Sequence, residues 1–279
     1  MAKTFDELVK RATTKKTRRR AATRTKELLG ELLLSRYRTS PAIEVKPMST
    51  ITSPPRPSSP PLPAPTVGSG DQRIVIRGVG WHVYDCLSEA IGEGQHIRLA
   101  YDGEDLEIMT TGYPHERYKE MFGKIVATVS RVKGIPRKTA GETTWKRPEI
   151  ERGLQADECY YFRAEKFAIV EAAFARKSMD IADYPNPDLA IEIDLSGPKV
   201  DRPGIYAKLK VAEIWRFDGE SLVIEQLQDD GSYAPVKTSR FLPLRPEDLL
   251  RWLTREDYSD ELDWERRLDQ WAKRLRRKK

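Results

Sequence analysis

The run Asp188-Leu189-Ala190-Ile191-Glu192-Ile193-Asp194-Leu195 sets acids into an otherwise apolar segment. On a β-strand, side chains two apart share a face, so Asp188, Glu192 and Asp194 point one way while Leu189, Ile191, Ile193 and Leu195 point the other. Glu192 and Asp194 then lie about 6–7 Å apart along the backbone, within reach of one cation. So much negative charge on one face raises carboxylate pKa values unless a metal or base neutralises it. A second acid, Asp157, opens the segment Asp157-Glu158-Cys159-Tyr160-Tyr161-Phe162. A neighbouring strand that delivers Asp157 beside Glu192 would build a hard-oxygen site suited to Mg²⁺, or to Mn²⁺, which takes the same donors. Such a site activates water and screens the charge that develops on a phosphodiester. Glu116, in Pro114-His115-Glu116-Arg117, is the third element, and His115 beside it would support the acids or meet a phosphate. Each acid also has a plainer use: polar alternation on an edge strand, a turn cap at Asp157, or a helix-dipole partner at Glu116.

Other chemistries find little support. Three histidines, His82, His96 and His115, stand in unlike settings, which argues against a His-rich zinc site. The sequence has no G-x-x-x-x-G-K-[ST] loop and no G-x-S-x-G elbow. Cys159 sits in an apolar strand and reads as buried rather than nucleophilic. Two cysteines cannot make a disulfide framework, and a reducing, cytoplasmic setting is expected. No apolar run approaches the roughly 18 residues of a membrane span, so no membrane partner is expected.

The elements that must position these residues follow from pattern. Arg73 to Arg77 alternates as a strand, and Trp81 to Ile91 has helical spacing. His96 to Tyr101 and Glu104 to Met109 read as a hairpin around Asp102-Gly103. His115 to Val132 is an amphipathic helix, with Met121, Phe122, Ile125, Val126, Val129 and Val132 recurring at three and four and Gly134 and Pro136 ending it. Lys138 to Arg147 reads as a strand, Gly153 to Ala156 as a turn and Asp157 to Phe162 as a strand; Phe167 to Phe174 fits either a helix or an insertion. Residues 204–210 read as a short helix, Glu213 to Phe217 and Ser221 to Gln226 as strands around Asp218-Gly219, and Pro246 to Leu253 as a closing helix. The sum is a mixed α/β sheet with helices on both sides.

The net charge of +6 is unevenly spread. Residues 1–40 carry 12 Lys/Arg against 4 acids, and residues 263–279 carry 8 against 3, so the intervening segment is acidic. Nine of the 19 prolines fall in 41–71, a composition that cannot bury a core. The expected organisation is a basic helical arm (1–40), a Pro/Ser-rich linker (41–71), a folded domain (72–255) and a basic C-terminal helix (256–279). Basic ends of this kind can neutralise nucleic-acid phosphates, although a charge run is more often a solvated face.

The ordered motifs Asp102-Gly103, Leu106-Glu107-Ile108-Met109, Pro114-His115-Glu116, Thr143-Thr144-Trp145, Gly153-Leu154-Gln155-Ala156-Asp157-Glu158-Cys159-Tyr160-Tyr161, Pro187-Asp188 through Ser196, Ile205-Tyr206-Ala207 and Glu213-Ile214-Trp215-Arg216 resemble the Uma-type restriction endonucleases of the PD-(D/E)XK superfamily. The resemblance covers roughly 74–252. It implies a restriction-endonuclease-like mixed β-sheet core flanked by helices and Mg²⁺-dependent hydrolysis of DNA; composition alone places a disordered basic and proline-rich N-terminal extension ahead of that core. Asp157 matches the metal-binding Asp, with Ala156 where Pro is usual. Glu192 matches the acid of the (D/E)XK strand, and Glu116 the helix-borne acid of many members. Asp194 stands where the motif has lysine; it would add a metal ligand but cannot orient water as a lysine does. Lys199 or Arg202 would have to reach the site instead, and an arginine supplies charge without serving as a base. Pro187-Asp188 spells the literal PD but stands only four residues before Glu192, so Asp157 is preferred over Asp188. The leading expectation is a Mg²⁺-dependent DNA endonuclease. Its rival is a non-catalytic nucleic-acid-binding or toxin–antitoxin-like module on the same fold. Nucleases that cut both strands are often dimers, though no motif here specifies a homodimer.

Overall fold

The computed structural model describes residues 72–92 and 97–276. The arm and linker expected over 1–71, and the last three residues of the basic C-terminal helix, lie outside them. Among the described residues, eleven strands form two sheets. The first, in the order β1-β3-β2-β6-β5, comprises β1 (Gln72–Ile76), β2 (Ile97–Tyr101), β3 (Leu106–Thr110), β5 (Thr144–Arg147) and β6 (Arg152–Gln155). The second runs β11-β10-β9-β8-β7-β4. It contains β4 (Lys138–Gly141), β7 (Glu158–Tyr161), β8 (Leu189–Ile193), β9 (Glu213–Phe217), β10 (Leu222–Leu227) and β11 (Tyr233–Pro235). Pairings are antiparallel except β8 with β9, whose connection carries a short helix, as a parallel crossover requires.

Six helices complete a mixed α/β fold among the described residues: α1 (Trp81–Ile91), α2 (Tyr113–Lys133), α3 (Ala164–Ala175), α4 (Arg202–Lys208), α5 (Pro246–Thr254) and α6 (Glu261–Arg274). None is long and apolar enough to cross a membrane. The three-and-four spacing of α2 turns Phe122, Ile125, Val126 and Val129 onto Leu189, Ile191 and Ile193 of β8 and Trp215 and Phe217 of β9. Trp252, Trp264 and Leu268 close this core from α5 and α6. Gly134 ends α2 in the left-handed region (φ 62°), where a residue without Cβ is favoured. Ion pairs Lys124–Glu261 (2.7 Å) and Arg131–Asp269 (2.6 Å) fasten α2 to α6.

The opposite face of β8 looks elsewhere. Ala190 packs with Cys159, Ile205, Tyr206, Trp145 and Leu154 in a second core that joins the second sheet to the first. Glu192, two residues on, shares the Ala190 face, so the acidic side of β8 points toward the first sheet rather than to solvent.

Two elements differ from the sequence reading, and a third resolves an alternative it left open. Lys138 to Arg147 is two strands in different sheets, parted after Gly141 (φ 61°). Gly153 to Ala156 is mostly strand β6, not a turn; the glycine is needed because a Cβ there would run into the Tyr84 ring. Phe167 to Phe174 is helical, within α3.

Asp188 anchors the entry to α3. Its Oδ2 accepts the N–H groups of Phe162 and Arg163, both at 2.9 Å, and its Oδ1 pairs with Lys166 at 2.6 Å. Asp188→Ala strands two N–H groups and a half-buried ammonium, so it should cost about 1–3 kcal/mol. Urea unfolding measures this, and a variant as stable as the parent would contradict the anchoring role.

Candidate active site

The antiparallel register of β7 and β8 pairs Glu158 with Ile191, and its continuation by one step sets Asp157 beside Glu192. Both acids are fully buried. Asp157 occupies the link between β6 and β7, where its Oδ2 accepts the Ile193 N–H at 2.6 Å and so ties it to the acidic strand. Its Oδ1 receives Arg98 Nη1 from β2 and lies 3.1 Å from His115 Nε2 on α2. Burial pushes this carboxyl up, but Arg98 and His115 outweigh burial and hold it well below the usual carboxylate range.

Glu192 is held differently. Arg202, the first residue of α4, donates Nη1 to Oε2 at 2.5 Å, and the Tyr206 hydroxyl donates to Oε1 one turn later. Burial pushes Glu192 up; Arg202 opposes this, Asp157 and Asp194 reinforce it, and the carboxyl ends well above its ordinary value. Asp194, at the end of β8, turns its Oδ1 to Arg73 Nη2 of β1 at 2.8 Å. Arg73 and Arg202 meet on a further buried acid, Glu107 of β3, at 2.8 Å each, and the Lys199 N–H closes its other oxygen at 2.7 Å. Burial alone would raise Glu107, but Arg202, Arg73 and the Lys199 N–H hold it below its ordinary value. Glu116 stands at the rim, hydrogen-bonded by Thr111 and Lys119, both at 3.0 Å, with Arg98 Nη2 3.5 Å away.

The structure therefore gathers Asp157, Glu192, Asp194, Glu116 and Arg202 into one network between the sheets, and sets Asp188 apart at α3. Of the two cations considered in place of the motif lysine, Arg202 reaches Glu192 by its side chain, whereas Lys199 contributes a backbone N–H to Glu107. Sequence reasoning missed Arg73, Arg98 and Glu107 as members. The available signal was charge inside apolar strands, as in Ile97-Arg98-Leu99-Ala100 and Leu106-Glu107-Ile108-Met109.

Four buried carboxylates, Glu107, Asp157, Glu192 and Asp194, face three buried arginines. Among the described residues no three His, Cys, Asp or Glu side chains form a ready metal-binding group. The cross-strand pair Asp157 and Glu192 nevertheless fits a hard divalent cation in donor type. Mg²⁺ is commonly held by one or two carboxylates, with water and substrate oxygens completing its shell.

Glu158, next to Asp157, is pushed up to about 7 by burial; Tyr160 and Lys119 offset part of this, and Glu120 and Glu142 add to it. The folded chain thus keeps a proton that the unfolded chain releases above about pH 4.5. Its contribution to stability falls from about pH 4.5 to about 7 and is level beyond, because the native state binds more protons in that window. Glu158→Gln should remove that fall, so its Tm advantage over the parent grows across this window. A constant Tm difference would contradict the shift.

A mixed α/β core with buried cross-strand acids, reached by a helix-borne acid, is the class of structure on which the sequence motifs converged. The family described as Uma2, "Putative restriction endonuclease", matches residues 81–257. The chain belongs to that family, whose description points to a nuclease. No curated protein matched the chain.

Proposed function

We propose that this protein is a Mg²⁺-dependent endonuclease that hydrolyses DNA phosphodiester bonds at the Asp157–Glu192 pair. The observation that supports it most is the cross-strand pairing of these two buried acids within the segment that matches the nuclease family. Asp157 and Glu192 would hold the cation, with Asp194 at its border. The cation would supply Lewis-acid polarisation of the scissile phosphate.

The chain's own groups do the remaining work. His115 and the Ile193 N–H fix the Asp157 carboxylate, and Tyr206 fixes that of Glu192. Arg202 takes the place of the motif lysine as a charge: it can stabilise negative charge on a phosphate but cannot accept a proton from water. Arg73 and Glu107 hold Arg202 and Asp194 in register. Glu116 stands at the entrance with Lys119, positioned to order the incoming strand.

Mg²⁺ should raise the Tm of the full chain, and Asp157→Asn with Glu192→Gln should abolish that rise. Supercoiled plasmid should be converted to nicked and linear forms in Mg²⁺ but not in EDTA. Salt-dependent DNA binding without cleavage, unaffected by Mg²⁺, would instead favour the non-catalytic DNA-binding module.

A further inference from the structure

A surface cavity of about 640 Å³ lies between the first turns of α2, the β9–β10 turn at Gly219 and the α5–α6 connection. Its volume is in the range of small-ligand sites. Three tyrosines line it: Tyr113, Tyr118 and Tyr258. Tyr113 is 77% exposed, its ring open to a ligand. Arg117, one turn along α2, lays its guanidinium over the Tyr258 ring, 4.8 Å from the centroid.

The acids of the cavity are largely committed. Glu256 is taken by Arg267 and, at 3.3 Å, by Arg251, while Asp257 Oδ1 accepts the Ser259 N–H at 2.9 Å. What remains for a ligand is the exposed Tyr113 ring, one guanidinium and a carboxylate oxygen able to accept from an amino group. That is the chemistry of a nucleotide: a flat base, its exocyclic donors and a phosphate.

The cavity lies against the core side of the second sheet. Tyr118 packs edge-on against Phe217, with ring centroids 4.8 Å apart. The Phe217 carbonyl accepts the Asp194 N–H at 2.8 Å. The cavity wall thus meets the backbone at the end of β8, whose acid side chains point to the other face, and α2 presents His115 to Asp157 on one side and Arg117 to the cavity on the other.

Resting on the nuclease reading above, we propose that this cavity is a subsite for one unpaired nucleotide of the DNA strand, with its base on Tyr113 and its phosphate at Arg117. In a duplex the base faces are covered by their neighbours, so rings of this kind serve a base that has left the stack. The site would favour single-stranded, flapped or locally opened DNA over intact duplex.

The test uses the full chain in EDTA and a single-stranded oligonucleotide carrying 2-aminopurine, whose fluorescence falls when it stacks on an aromatic ring. Wild type should bind and quench. Tyr113→Ala, at an exposed position, should keep its Tm, weaken binding about tenfold or more, and lose the quench. Arg117→Gln should weaken binding and lower the salt slope by about 0.7, the share of one single-strand phosphate. Unchanged affinity and quenching in both variants would overturn the subsite. So would DNA cleavage by a wild type that gives no quench, in which case the nuclease reading stands. A wild type that neither binds nor cleaves any DNA would overturn both.

Discussion

Arg202→Met is expected to destabilise the protein by about 3–5 kcal/mol, because it removes one partner from a fully buried charge network. Arg202 donates Nη1 to Glu192 and Nη2 to Glu107, and all three side chains are buried. Glu107 keeps Arg73 and the Lys199 N–H, so most of the loss falls on Glu192, which retains Tyr206 as its hydrogen-bonding side chain among the described residues. Adding Glu192→Gln in the same chain removes that stranded charge and should recover a large part of the loss. The pair of variants separates charge from packing, since methionine fills similar volume in both. Denaturant unfolding of the parent and the two variants measures the coupling, and equal destabilisation in the single and double variants would show that Glu192 does not depend on Arg202.

Glu192→Gln alone is expected to lower DNA cleavage in Mg²⁺ by about a hundred- to a thousandfold, the scale on which removal of one preorganised polar group acts in an active site. The fold should survive. A glutamine keeps a carbonyl oxygen for one of the two donors, Arg202 retains Glu107, and burial already disfavours the charge that the substitution removes. Loss of activity with Tm unchanged or raised would therefore report on chemistry rather than unfolding. Asp157→Asn is less clean as a first test, because Asp157 carries the charge that balances Arg98 and also ties β7 to β8 through the Ile193 N–H.

Local periodicity made much of this legible. The spacing of Phe122, Ile125, Val126 and Val129 gave α2, and Asp218-Gly219 between alternating runs gave the β9–β10 hairpin. Asp157 and Glu192 stood out because an acid in an apolar strand costs too much to be idle. Their neighbours were hidden by distance along the chain. Arg73 meets Asp194 across 121 residues and Arg202 meets Glu107 across 95, and no local pattern announces such pairs. Gly153 misled because it is small for the sake of Tyr84 rather than for a turn. Likewise, Lys138 to Arg147 reads as one strand until Gly141 sends its halves to different sheets. The arginines also changed the expected electrostatics: the sequence suggested acids awaiting a cation, whereas the fold already brackets them with Arg73, Arg98 and Arg202.

The central claim is that the Asp157–Glu192 pair hydrolyses DNA with a divalent cation. Its most direct test is the rate of supercoiled-plasmid cleavage by wild type and by Glu192→Gln, at equal concentration and verified fold, in Mg²⁺ and in EDTA. The account predicts cleavage by wild type in Mg²⁺ alone and none above background in the other three conditions. Equal cleavage by the two proteins in Mg²⁺, or wild-type cleavage that persists in EDTA, would contradict it.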